Sequence, residues 1–514
     1  MLNLKNNFLN HSNLLVIQYF FIFIIALTSL LMRNIDSLLN PIMYTEDGQW
    51  LGMAFSDGWI HTIMHAKEGY FVWLNLIFLF VAEKISYIIS GSQILYLPYT
   101  ISLISFSFFA FVPTFAFIVT KKILNIKLRW LLFFLIIFVP MGDSSNEILG
   151  RLSNIGYYLV FLTMLLLYIR TNVTSCYKIL IIDLFLFLFF GTNPVVLVLV
   201  SLYLVYEFFH KSNIKSFLFR SSSLFVFIIV FLLLFLSLES GNGSSVTGSL
   251  NMENIIEVGI ARSILYPIIF SSYYNLNDFI SIIMGTVLFG FIFYFLTLYM
   301  RQSLTQQLGD YSTTFPDRYF IGLNILVIFV IILSLQILIT KKQTLAIGIG
   351  IYFVFYYILN LNWLIEYKEP RMNIMTNNNW EETVCSTYFN KELSQKDYVA
   401  LPVYFQGWSM IVSYKLIHNK VIKKVCSAEV NKYTIMNLTD SNWINGVSKN
   451  GLVLLLKNNY RNSKIKVPIK IKFSDGQIRK IVKINIVSDK YLHAYIDFPV
   501  FNLDTNIISI EENK

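Results

Sequence analysis

The chain has 514 residues, of which 56% are hydrophobic and 14% charged, with a mean hydropathy of +0.60. Soluble domains run near 25% charged, so two to four soluble domains of about 150 residues each are excluded, and the composition is that of a membrane protein. Residues 1–367 hold 19 of the 40 Lys and Arg and 17 of the 30 Asp and Glu, roughly 10% charge against roughly 23% for residues 368–514. A membrane domain over 1–367 is therefore expected to precede a soluble domain over 368–514. The tail holds 21 basic against 13 acidic residues of a chain whose net charge is +10. Its lysines, Lys424 and Lys466 among them, lie in polar β-like sequence with no RNA or DNA motif. Anionic lipid or glycan is the expected partner, and nucleic acid is not.

Leu14–Met32 is apolar enough to cross a bilayer, follows a polar start with Lys5 and has no small-residue cleavage site, which predicts an uncleaved anchor with a cytoplasmic N-terminus. Ile94–Val119 is the next long run. It ends at Lys121, Lys122, Lys127 and Arg129, and the positive-inside rule places that cluster in the cytoplasm. Residues 33–93 are then expected outside. Two shorter hairpins follow, Trp130–Met141 with Leu152–Ile169 and Ile179–Phe190 with Val195–Phe209, folded around the polar breaks GDSSNEILGR (142–151) and GTNP (191–194). Spans of about 12–14 residues are too short for a perpendicular crossing of ~30 Å, so these read as half-buried or re-entrant, which is tolerated beside protein or a water-filled cavity. Their inner ends carry Arg170, Lys178, Lys211, Lys215 and Arg220.

Phe217–Leu238 leads to a Gly/Ser-rich loop, GNGSSVTGS (241–249), whose composition suits a flexible connection. Ile280–Met300, Phe320–Thr340 and Thr344–Asn362 are further spans. With Lys341 and Lys342 inside, Ile255–Tyr274 must also cross or re-enter, and the tail lies outside. The fold class read from this pattern is a mainly α-helical polytopic membrane protein of about 9–11 spans with a C-terminal β-rich soluble domain. In the tail, KIKVPIKIKF (464–473), SDGQ (474–477) and IRKIVKINIV (478–487) predict a hairpin turning at Asp475-Gly476, with Pro468 marking an edge strand. Cys385 and Cys426 share the tail; in an external domain they either pair or stay as two buried thiols.

The first outer loop, YTEDGQWLGMAFSDGWIHTIMHAKEGYF (44–71), carries most of the chemistry. Glu46 and Asp47 are adjacent acids before a glycine. A carboxylate there is placed to take a proton from a sugar hydroxyl attacking an anomeric carbon, although an acidic, hydrated loop with a helix-capping Asp gives the same pair. Asp57, His61, His65 and Glu68 would share one face of a continuous helix. That face reads either as the polar side of an interfacial helix or as a metal site of two His and an acid, without the HExxH spacing of a zinc protease. Trp50, Trp59 and Trp73 can stack on sugar rings or belong to an interfacial aromatic belt. Glu147, Arg151 and Asn154 in the second outer loop form either a simple helical pair of about 0.2–0.5 kcal/mol or an ionisable site at a cavity mouth. Arg318 in FPDRYF (315–320) can grip a lipid phosphate with its fork or snorkel to the headgroups. There is no GxGxxG, Walker A run, DxD pair or CxxC knuckle, so cytoplasmic nucleotide chemistry is not expected. No resident metal is expected; a divalent cation is the one cofactor left open.

In their order, EDGQWLGMAF (46–55), EGYF (68–71), NEILGRLSNIGYYL (146–159), GTNP (191–194), DRYF (317–320) and ALPVYFQGWSM (400–410) make the chain similar to GT-C type polytopic glycosyltransferases. It most resembles the serotype-converting O-antigen glucosyltransferases carried by temperate phages. The resemblance spans most of the chain and implies inverting transfer of glucose from undecaprenyl-phosphate-glucose to lipid-linked O-antigen of lipopolysaccharide. The location it implies is the periplasmic face of the bacterial inner membrane. It implies Glu46 or Asp47 as base, Glu147 as supporting acid and Arg318 as phosphate ligand, with Arg151, Asn154, His61, His65 and Trp50 as substrate contacts. The short spans around 130–209 depart from a regular pattern. A transferase for another polyprenyl-phosphate sugar, such as mannose or arabinose, would show the same acids. A glycolipid flippase would be expected to show inverted repeats, and none is evident. A non-catalytic protein altering phage adsorption through its tail is the remaining class.

Overall fold

A computed structural model describes residues 2–39, 41–67, 69–141, 148–210, 213–237, 320–359, 380–389, 397–403, 409–430, 433–434, 444–448, 453–457, 469–473, 478–486, 491–496 and 507–512. The chain is a mainly α-helical polytopic membrane protein. Six described helical stretches are long and apolar enough to cross a bilayer: Leu15–Arg33, Trp73–Ser90, Leu97–Lys122, Ile155–Asn172, Ile214–Leu236 and Ile321–Ile339. Val195–Phe209 and Gln343–Val354 are shorter apolar helices. The first, third, fifth and sixth stretches fall where long apolar runs predict them. Trp73–Ser90 differs: it lies in the segment 33–93 expected wholly outside. Its apolar run is broken in sequence by Glu83 and Lys84, but Glu83 is fully buried, with Gln93 Nε2 donating to its Oε1 and Lys84 Nζ 3.0 Å from Oε2. The predicted spans Ile255–Tyr274 and Ile280–Met300 and the loop 241–249 lie outside the described residues.

Two compact units divide the chain. The first gathers 1–35, 63–77 and 104–367. It contains α1 (Leu2–Arg33), most of α6 (Leu97–Val119), α7 (Ile126–Ile137), α8 (Leu159–Asn172), α9 (Cys176–Phe190), α10 (Val195–His210), α11 (Ile214–Leu236), α12 (Ile321–Lys341) and α13 (Gln343–Leu359). α7 begins on Asn125, whose side chain accepts from Leu128 N, as an N-cap should. Arg33 takes the carbonyl of the helix's last residue and one just beyond it: Nη1 donates to Ile137 O at 2.5 Å and Nη2 to Val139 O at 3.0 Å. Arg129, read as an inner-side charge, is instead 8% exposed, donates to Phe117 O and lies over the Phe117 ring.

α8 to α11 enclose a group of charges expected to be basic inner ends. Arg170 holds Asp183 with two hydrogen bonds and also reaches Tyr203 and the Arg220 carbonyl. Tyr203 donates to Glu207, Ser223 to Asp183, and Arg220 Nε lies 3.4 Å from Glu207. Two cations and two anions cancel, which is how charges survive among apolar helices.

The second unit gathers 36–62, 78–103 and 368–514. It contains α2 (Asp36–Leu39), α3 (Thr45–Ser56), the helices α14 (Trp380–Phe389), α15 (Tyr414–Ile417) and α16 (Lys420–Val430), and two sheets. Strands β1 (Tyr398–Pro402) and β2 (Ser409–Ser413) pair antiparallel, with Leu401 opposite Met410. Val399, Leu401, Met410 and Val412 are buried while Tyr398 and Ile411 are exposed, the period-two alternation of a half-buried sheet. Trp380 Nε1 donates to Ile94 O at 2.9 Å, tying α14 to the turn after α5 (Trp73–Ser90).

Beyond these, β3 (Tyr433–Thr434), β4 (Ile444–Ser448), β5 (Val453–Lys457), β6 (Ile469–Phe473), β7 (Ile478–Ile486), β8 (Tyr491–Ile496) and β9 (Ile507–Glu512) form an antiparallel sheet ordered β3-β4-β5-β8-β7-β6-β9. β6 and β7 pair with Lys472 opposite Ile478, the hairpin expected around 474–477. β6 is not an edge strand, because β9 pairs on its other side. Pro468 itself lies outside the described residues. The side chains of Cys385 and Cys426 lie outside those described; Cys176 is a free, exposed cysteine.

Candidate functional site

α3 is the element that carries the acidic pair. Tyr44, in extended backbone, precedes the helix, and Glu46 and Asp47 occupy its first turn, where carboxylates are favoured by the helix dipole. The two acids sit in different surroundings. Asp47 is fully buried, whereas Glu46 is partly exposed and accepts a hydrogen bond from Thr45 Oγ1 at 2.6 Å. One turn on, Trp50 is 3% exposed, so it is a core side chain of this unit rather than an open stacking platform.

Gly48 and Gly52 form the packing face of α3. A Cβ on Gly48 would meet Val403 Cγ1 at 2.6 Å and Met43 Cγ at 2.8 Å, and one on Gly52 would meet Ile411 N at 2.7 Å. The helix therefore lies directly against β2 and the residue that follows β1. Two of the quoted motifs, EDGQWLGMAF and ALPVYFQGWSM, thus touch across some 350 residues of chain. Nothing in either stretch alone points to the other.

Asp57 does not share one continuous helix with His61 and His65. Asp57 caps the end of α3, Gly58 follows with φ +88°, and a new helix, α4, runs only from Trp59 to His65. A left-handed residue that only glycine adopts readily breaks the helical phase there. His61 and His65 share α4 and are both exposed. Glu68 lies outside the described residues. Among the described residues no three His, Cys, Asp or Glu side chains gather as a metal site.

The other motifs converge in the first unit. Trp73 N donates to Gly191 O and Leu74 N to Thr192 Oγ1, and Gly191 leaves room for the Trp73 ring, which a Cβ would meet at 1.9 Å. Asn193 Nδ2 donates to Gly156 O at 3.0 Å, and a Cβ on Gly322 would strike Tyr157 O. The stretch Phe71–Leu74 packs on GTNP, GTNP on Gly156, and the start of α12 on Tyr157. Phe71 stacks on Trp73 with centroids 4.9 Å apart.

Arg151 and Asn154 lie in this unit and are buried, at 3% and 7% exposure. The loop that bears them is gripped by side chains from α5, α6 and the residue that follows α1. Asn34 Nδ2 donates to Leu149 O, Asn75 Nδ2 to Leu152 O at 2.6 Å and Ser105 Oγ to Arg151 O at 2.8 Å. Such carbonyls, outside regular structure, need partners when buried. The sequence reading missed Asn34, Asn75 and Ser105 in this role; polar residues inside or beside apolar runs were the available signal. Glu147 and Arg318 lie outside the described residues. Comparison of the chain with protein-family models, curated proteins and solved structures returns no match.

Proposed function

We propose that the chain is a GT-C type membrane glycosyltransferase with Glu46 as its base. On this reading it transfers glucose from undecaprenyl-phosphate-glucose to lipid-linked O-antigen of lipopolysaccharide at the periplasmic face of the inner membrane. The observation that carries it is the asymmetry of the acidic pair: a partly exposed, hydroxyl-braced Glu46 beside a fully buried Asp47 in the first turn of α3. A base must reach the proton it removes. Of the two acids, Glu46 meets that requirement, and Asp47 serves the helix from inside.

The reaction is a single displacement. The acceptor hydroxyl oxygen bonds to the anomeric carbon of glucose while its proton passes to the Glu46 carboxylate. The bond from that carbon to the phosphate oxygen breaks, the electron pair leaves with undecaprenyl phosphate, and configuration inverts. A phosphate is already a good leaving group, so no strong general acid is needed. Glu147 and Arg318 are assigned on this reading to substrate and phosphate contacts and His61 and His65 to the exposed rim of α4, while Arg151 and Asn154, buried in their loop, serve to hold it rather than to touch substrate. The tail is the acceptor-facing domain.

The test is lipid-sugar transfer by the full-length protein in lipid nanodiscs. Glu46→Gln is expected to lower transfer by about 10²–10⁴-fold with unchanged membrane levels, whereas Asp47→Asn should lower the melting temperature first. Full transfer by Glu46→Gln would overturn the assignment. Transfer of mannose or arabinose but not glucose would keep the mechanism and replace the donor.

A further inference from the structure

Gly48 and Gly52 are one helical turn apart and share one side of α3. At 100° per residue, Glu46 falls on the far side of the helix from them. The glycine side is laid against the C-terminal strands so closely that neither glycine has room for a methyl group. Val403, at 4% exposure, and the fully buried Met410 and Val412 make that backing a packed core. Packed cores transmit displacement instead of absorbing it. We propose that strands β1 and β2 are a positioning element of the transfer site: they set the height of α3, and through it the position of Glu46 against the acceptor hydroxyl. Val403 is the positioning side chain. This rests on Glu46 being the base.

The contacts give the two glycines different predicted behaviour. A methyl on Gly48 meets the end of the Val403 side chain and the flexible Met43, so it displaces α3 but can be accommodated by trimming Val403. A methyl on Gly52 meets the Ile411 backbone, which no side-chain change removes. Gly48→Ala, Gly52→Ala, Val403→Ala and the pairs with Val403→Ala are compared in full-length protein, by steady-state transfer and melting temperature. Gly48→Ala should lower kcat by roughly 10–10²-fold, the scale expected from displacing a catalytic group by about 1 Å, with KM for the lipid sugar little changed. Val403→Ala should restore kcat in the Gly48→Ala background and not in the Gly52→Ala background. Wild-type kcat in Gly48→Ala, activity lost only in proportion to unfolded protein, or failure of Val403→Ala to rescue Gly48→Ala would each overturn the proposal. Glu46→Gln in the same assay separates the two levels. If it is active, the base assignment fails and this inference with it; if it is inactive while Gly48→Ala is fully active, the positioning role alone fails.

Discussion

Arg170 and Asp183 form a two-point ion pair, Nε to Oδ1 at 2.7 Å and Nη2 to Oδ2 at 3.2 Å, with both side chains shut off from solvent. The pair joins α8 to α9, and Tyr203, Glu207, Arg220 and Ser223 extend it to α10 and α11. The planar guanidinium matches a carboxylate with two parallel bonds. Apolar helices in lipid have little hydrophobic reason to prefer one rotation over another, and a buried charge that must find its partner supplies that preference.

Breaking the pair on one side should therefore be costly. Asp183→Asn is expected to destabilise the protein by about 3–5 kcal/mol, the range for leaving a buried charge uncompensated. Replacing both, as Arg170→Met with Asp183→Leu, should recover a large part of the loss. Thermal unfolding in detergent measures both. An unchanged melting temperature in Asp183→Asn would show that the network does not hold the helices.

Arg33 closes the C-terminal end of α7 by donating to the carbonyls of Ile137 and Val139. Arg33→Ala should cost about 1.5–3 kcal/mol, the range for a hydrogen bond to a charged group. Arg33→Lys should recover little, since an ammonium lacks the fork that spans two carbonyls. Hydrogen exchange should quicken at the end of α7 in both variants. Unchanged protection there would remove the capping role.

His418 gives the C-terminal segment a dependence on pH. Its ring stacks between Tyr388 and Tyr414, with centroids 4.4 and 4.0 Å away. Burial lowers its pKa below the usual 6.5, and a hydrogen bond with the Tyr388 backbone opposes that shift. The unfolded chain then binds the proton more readily than the folded one. The stability contributed is fully present above about pH 6.5 and is lost as pH falls below it. The residue as a whole is nevertheless exposed, so solvent screens the effect and only a small dependence is expected. Exchange protection around Tyr414–Ile417 should fall on acidification and become insensitive to it in His418→Gln. Equal sensitivity in that variant would assign the dependence elsewhere.

Much of the architecture was legible residue by residue. Long apolar runs at Leu14–Met32, Phe217–Leu238 and Phe320–Thr340 became helices of near-matching bounds, because period and length are local properties. Asp475-Gly476 between alternating runs pointed to the β6–β7 hairpin for the same reason. Trp73–Ser90 escaped because Glu83 and Lys84 interrupt its hydropathy, whereas in the fold the two charges pair with each other and Gln93 donates to Glu83. The expected continuity of Asp57 with His61 and His65 failed at Gly58, where a single positive φ resets the helix.

The sequence by itself determined that this is a helical membrane protein, where most of its spans run, that its tail alternates as strands, and that an acidic pair follows the first span. Only the tertiary structure decided that Asp47 is closed off while Glu46 stays reachable. It alone showed that Gly48 and Gly52 are a seat for strands some 350 residues away. It also turned Arg170 and Arg220 from inner-side charges into half of a buried neutral network. The division has one physical cause. Hydrophobic period and turn chemistry act between neighbours along the chain, whereas burial of a charge and close approach of two backbones are settled by whichever distant segment packs against them.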